Sequence, residues 1–105
     1  MTIYRGIVHY HFKNGWEEKG IKLLEVELFK AAHEFGNHSF DLCFNEKEPG
    51  HVIGTSWWNP VEDARRFQEV WEVKEREILQ HCSREPKREI FKHRKSIFEK
   101  AKKSA

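Results

Sequence analysis

Nothing in this chain approaches the run of about eighteen apolar residues that a membrane span needs, and its first residues show no secretory leader pattern. No membrane partner is therefore expected. Cysteine is nearly absent: Cys43 and Cys82 stand far apart with no CxxC, so no disulfide framework is expected. A reducing, cytoplasmic setting is the plain expectation. A glycine-rich phosphate loop, a GxSxG elbow and a Ser-His-Asp spacing are missing too, which sets aside nucleotide-binding and hydrolase readings. Proline occurs only at positions 49, 60 and 86, and each lies where the apolar pattern changes period.

What remains is 105 residues, enough for a single core, with 38% hydrophobic, 13% aromatic and 34% charged content. The limited apolar material comes in large pieces, with four Trp and eight Phe, which is a globular composition. A net charge of +2 conceals an asymmetry. Residues 1–83 carry ten Lys/Arg against fourteen Asp/Glu, and residues 84–105 carry nine against three. A basic end can meet nucleic acid or an acidic membrane. Here no aromatic residues alternate with the basic ones, so no nucleic-acid partner is expected and residues 95–105 read as a solvated terminal helix or tail after a domain of residues 1–94.

The stretch from His51 to Cys82 organises the chain. Val52, Ile53, Thr55, Trp57 and Trp58 suit a half-buried strand. Asn59 offers an N-cap, Pro60 fits the first helical position, and Glu62 can reach back to the cap. Val61, Ala64, Phe67, Trp71, Ile78 and Cys82 then form one apolar stripe. Residues 2–12 form a first strand with Tyr4, Gly6, Val8, Tyr10 and Phe12 on one face and Ile3, Arg5, Ile7, His9 and His11 on the other. Asn14-Gly15 is a turn. Trp16–Phe35 is a helix with Ile21, Leu24, Leu28, Ala31 or Ala32, and Phe35 inward, stopped by Gly36. Residues 38–45 alternate as a strand with Phe40, Leu42 and Phe44 on one side. Lys87–His93 gives a short edge-like strand.

The order is β-α-β-β-α-β, an α+β ferredoxin-like sandwich. Two helices cover one face of a four-stranded sheet, yet the first and third strands carry apolar residues on both. A second copy packed sheet to sheet is the expected cover, a homodimer.

Over about residues 2–93 the chain resembles the dimeric α+β barrel proteins of the antibiotic biosynthesis monooxygenase type. The resemblance rests on the element order, the N-G turn followed by an amphipathic helix, and the passage TSWWNPVEDARRFQ. It implies oxidation of a small apolar or aromatic substrate, a phenol or quinol, with no cofactor. Alternatives are a ligand-binding or structural homodimer without turnover and, third, a haem-binding protein. In the family pattern a Trp at the end of the third strand can line a pocket between sheet and helices, near Tyr4, His9, Trp57 or Trp58, and Trp71.

His9, His11 and Trp58 are the expected catalytic groups, with either histidine as base. Tyr4, Arg5, Trp57, Trp71 and His81 are the expected substrate contacts, and Tyr10 is a further hydrogen-bonding group on the first strand. The two histidines share a strand face, and they can equally be polar members of a partly wet face. A zinc site would need more ligands, from His38, His51 or Asp41, whose convergence spacing does not show; no metal is expected. Trp71 and His81 stand ten residues apart, as do the Trp and axial His of haem-degrading members, a separation that on a helix shares one face. This strand lacks the Asn that active members often carry there. Glu69, Glu72, Lys74, Glu75 and Arg76 read as a solvated helix surface.

Overall fold

The computed structural model describes residues 3–35, 40–59 and 61–94. The elements are β1 (Tyr4–His11), α1 (Glu17–Phe35), β2 (Phe40–Phe44), β3 (His51–Trp58), α2 (Val61–Leu79) and β4 (Lys87–Lys92). The strands form one antiparallel sheet in the order β2-β3-β1-β4, the expected split arrangement. The side chains of Ala32 and Phe35, the Gly36 stop, His38 and Ser39, the Pro60 start and the tail of residues 95–105 lie outside the described residues. No helix among the described residues is long and apolar enough to cross a membrane.

Register decides which side chains meet the helices. Tyr4 pairs with Trp58, Gly6 with Ser56, Val8 with Gly54 and Tyr10 with Val52, and this set faces α1 and α2. Arg5–Trp57, Ile7–Thr55, His9–Ile53 and His11–His51 take the opposite face, because successive residues of a strand alternate. Leu24, Leu28 and Ala31 from α1 and Ala64, Phe67, Trp71 and Ile78 from α2 close the covered side. Trp71 is 2% exposed, and truncating such a residue to Ala costs about 3–5 kcal/mol. On the uncovered side Ile7, Ile53 and Trp57 are only half-buried, and Phe91 is exposed.

Two local devices place the first helix. Gly15 takes φ +88° in the turn after β1, a conformation that disfavours any side chain. Gly20 lets the Phe12 ring lie against α1, since a Cβ there would stand 2.4 Å from it. The second helix ends earlier than its apolar stripe suggests. The N–H groups of His81 and Cys82 donate to the carbonyls of Ile78 and Leu79, tightening the last turn, and the helix stops at Leu79. Cys82 reaches the core through a β-bridge to Phe12 instead.

Candidate functional site

A cavity of about 60 Å³ lies between the covered sheet face and α2, open to solvent on one side. Its floor is made by what two strands omit. Gly6 and Gly54 sit inside β1 and β3 on the covered face, and a Cβ on Gly6 would come within 2.8 Å of Ser56 Oγ. Glycine inside a strand marks a place kept clear for close approach. Phe40, Trp58, Phe67 and Trp71 form aromatic walls, with Trp58 and Phe67 ring centroids 5.1 Å apart and Phe67 and Trp71 5.8 Å apart. Trp58 Nε1–H donates to Ser56 Oγ at 2.7 Å, which fixes that indole.

The polar end of the cavity is a buried network. Trp71 and Glu75 are four residues apart on α2 and so share its inward face. Tyr10 from β1 and Arg88 from β4 reach them from the sheet. Tyr10 Oη–H donates to Glu75 Oε2 at 2.5 Å, and Trp71 Nε1–H is shared between Tyr10 Oη at 2.8 Å and Glu75 Oε2 at 2.9 Å. The Arg88 guanidinium pairs with Glu75 Oε1. Both carboxylate oxygens are thus engaged, although Glu75 is only 2% exposed. Burial pushes the Tyr10 phenol above its usual value, against the opposing pull of the Trp71 hydrogen bond and the Arg88 charge. Tyr10, Trp71 and Arg88 line the cavity, with Glu75 behind them.

The uncovered face carries a second polar group. His11 and His51 stack with centroids 4.2 Å apart, and His9 Nδ1 lies 3.1 Å from His51 Nε2. His9 Nε2 is 3.6 Å from Glu89, and His51 Nδ1 is 3.6 Å from Glu48. Burial first, then the neighbouring charge of Arg84 and His51, holds the His11 imidazole below its usual value.

Solved structures share this fold. A crystal structure of an antibiotic biosynthesis monooxygenase superposes with a TM-score of 0.74 at 16% identity, covering 88% of this chain and 99% of that one. A putative antibiotic biosynthesis monooxygenase from Nitrosomonas europaea gives 0.77 at 17%, covering 87% and 89%. SnoaB, a cofactor-independent oxygenase from Streptomyces nogalater, gives 0.78 at 9%, covering 90% and 96%. The chain shares the ferredoxin-like fold of these proteins. No protein-family model matches its sequence, and no curated protein does either. At these identities the likeness is one of fold.

Within this fold the expected site residues divide between the two faces of the sheet. Trp58 and Trp71 wall the cavity, and Tyr4 packs partly buried against the same core. His9, His11, Arg5 and Trp57 do not join them. Strand alternation puts these four across the sheet, where the Arg5 guanidinium lies 4.3 Å over the Trp57 ring and Trp57 meets His93 edge-on. The expected single pocket holding Tyr4, His9 and the tryptophans is therefore corrected: it would need side chains from both faces. His81 is corrected as well. It falls beyond the end of α2 and stacks on Trp16 at 4.5 Å, so it shares no helix face with Trp71 and the geometry behind the haem reading is absent.

Glu75 overturns its reading as helix surface. A signal was present, since Glu75 fills the gap between Trp71 and Ile78 in the apolar stripe, where a charge must find a buried partner. That the partner is Arg88 could not be read, because β4 is a separate, mostly polar strand. Gly6 and Gly54 were also missed as makers of space. Their one mark is being glycines inside strands.

Proposed function

We propose that this protein oxidises a small phenol or quinol with dioxygen in the cavity under α2, without a metal or flavin. The observation that carries this reading is the cavity's composition: aromatic walls that end on the Tyr10–Glu75–Arg88 network. An aromatic ring can lie along Trp58 and Phe67 with its hydroxyl toward Tyr10. An engineered apolar cavity of about 150 Å³ holds benzene, and in this smaller one the ring sits partly in the open mouth.

Deprotonation is the step that the network suits. The substrate hydroxyl gives its proton to the Tyr10 oxygen as Tyr10 passes its own to Glu75, and the Arg88 charge steadies the phenolate formed. The electron-rich ring then transfers an electron to dioxygen. The two radicals combine, and loss of water leaves a quinone. One oxygen atom enters the substrate and the other departs as water. His9 and His11 have no part in this chemistry, since the sheet stands between them and the substrate.

The uncovered face, with Ile7, Ile53, Trp57 and Phe91, is the surface through which two copies pair. Two free thiols, with Cys43 exposed, suit the reducing cytoplasm expected for the chain. Oxygen uptake with a panel of phenols and quinols tests the activity. Turnover that falls sharply in Tyr10→Phe and Glu75→Gln, while His9→Ala and His11→Ala keep it, supports the reading. Binding without uptake makes the protein a small-ligand carrier instead. Turnover unchanged in Tyr10→Phe removes the relay.

A further inference from the structure

On the uncovered face, near the start of β3, His11, Glu48 and His51 each present one donor atom, and the three atoms lie within 4.8 Å of one another. We propose that these three residues bind a divalent transition-metal ion of the zinc type, with His9 and Glu89 as its outer support. The proposal is independent of the oxidation chemistry, because the sheet separates this group from the cavity.

The donor types fit. Two imidazoles and one carboxylate form a set that holds zinc and leaves a coordination position open to water. Their origin favours preorganisation. His11 and His51 are directly paired residues of the two central strands, so their spacing is fixed by the sheet ladder. Glu48 belongs to the turn between β2 and β3. That turn is held by Asn45 Oδ1, which accepts the N–H groups of Lys47 at 2.9 Å and Glu48 at 3.1 Å, and by the His51 N–H donating to the Glu48 carbonyl at 3.1 Å.

The same contacts set the His51 tautomer. Since Asn45 Oδ1 faces those N–H groups, its Nδ2 is the atom 2.9 Å from His51 Nδ1, and it donates there. His51 Nδ1 therefore carries the lone pair, on the side where the Glu48 carboxylate lies 3.6 Å away. The Nε2–H of His51 is left to donate to His9 Nδ1 at 3.1 Å, and His9 Nε2–H is directed to Glu89 at 3.6 Å. A ligating imidazole whose second nitrogen is held through a chain ending in a carboxylate is the usual outer arrangement of a metal-bound histidine.

Loading requires a small contraction. Tetrahedral zinc with ligands at 2.0–2.1 Å sets donors roughly 3.3 Å apart. Glu48, with its side chain 66% exposed, can swing inward, and one of the stacked rings turns about its Cβ–Cγ bond as the ion replaces the Asn45 N–H.

Titration of the untagged full chain with Co²⁺, followed by displacement with Zn²⁺, tests the proposal. Visible absorption bands of low-symmetry Co²⁺ should saturate at one ion per chain and vanish on adding Zn²⁺. His51→Ala and Glu48→Gln should abolish saturation, His9→Ala should weaken binding roughly ten- to hundredfold, and His81→Ala should change nothing. Glu48 is exposed, so Glu48→Gln folds, and circular dichroism verifies it. Absence of bands, or equal binding by wild type, Glu48→Gln and His51→Ala, overturns the site and assigns any uptake to scattered surface histidines.

Discussion

Replacing Glu75 by Ala removes the acceptor on which three donors from three elements converge: Trp71 of α2, Tyr10 of β1 and Arg88 of β4. Breaking one side of a buried ion pair costs about 3–5 kcal/mol, mainly because the surviving charge stays desolvated. The Arg88 side chain is 21% exposed and can recover some water, which puts the loss near the lower bound, about 3 kcal/mol. For a domain of this size each kcal/mol shifts the midpoint by about 4–8 °C, so Tm should fall by roughly 12–24 °C. Equilibrium urea unfolding, followed by tryptophan fluorescence at one fixed protomer concentration, gives the same quantity without mixing in association. Adding Arg88→Met to Glu75→Ala removes the stranded cation. The double variant should be more stable than the sum of single losses predicts, by roughly 1–3 kcal/mol. A Glu75→Ala loss under about 1 kcal/mol, or strict additivity with Arg88→Met, would refute the network as described.

Gly6→Ala places a methyl group against Ser56 Oγ and into the cavity floor; it should cost roughly 1–3 kcal/mol by denaturation and lower affinity for any ring-shaped ligand in the same sample. The Tyr10 phenol is raised above its unfolded value of 10.0, so its contribution to stability is complete below that pH and is lost as pH rises through the folded value. Alkaline denaturation curves should therefore fall more steeply for wild type than for Tyr10→Phe, and parallel curves would contradict the shift. Sedimentation at micromolar concentration should report a dimer that Trp57→Glu, on the uncovered face, converts to a folded monomer. A wild-type monomer would leave that face without its proposed partner.

The layout of the fold was legible because it rests on local signals. Period-two alternation in residues 4–11 and 40–44, the N-G turn and the three- and four-residue steps of α2 each depend on a few neighbouring residues, and the structure places all six elements in the expected order. Trp57 and Trp58 separate to opposite faces for the same local reason. The two pairings that the structure corrects each joined residues of one expected element. Tyr4 and His9 were joined in one pocket although an odd separation on one strand sets them on opposite faces, and Trp71 and His81 were joined across a helix end that the bonds to Ile78 and Leu79 move forward.

The sequence by itself determined which faces are apolar, where the elements start, and that one side of the sheet would lack a helical cover. Only the tertiary structure decided that Glu75 is a buried counter-ion to Arg88, thirteen residues on, rather than a solvated charge. It alone brought His11 of one strand beside His51 of another, forty residues away. The physical reason is common to both. Periodicity fixes the direction of a side chain relative to its own backbone, whereas a charge pair or a ligand set is fixed by the register between strands and the seating of a helix, which depend on packing across the whole core.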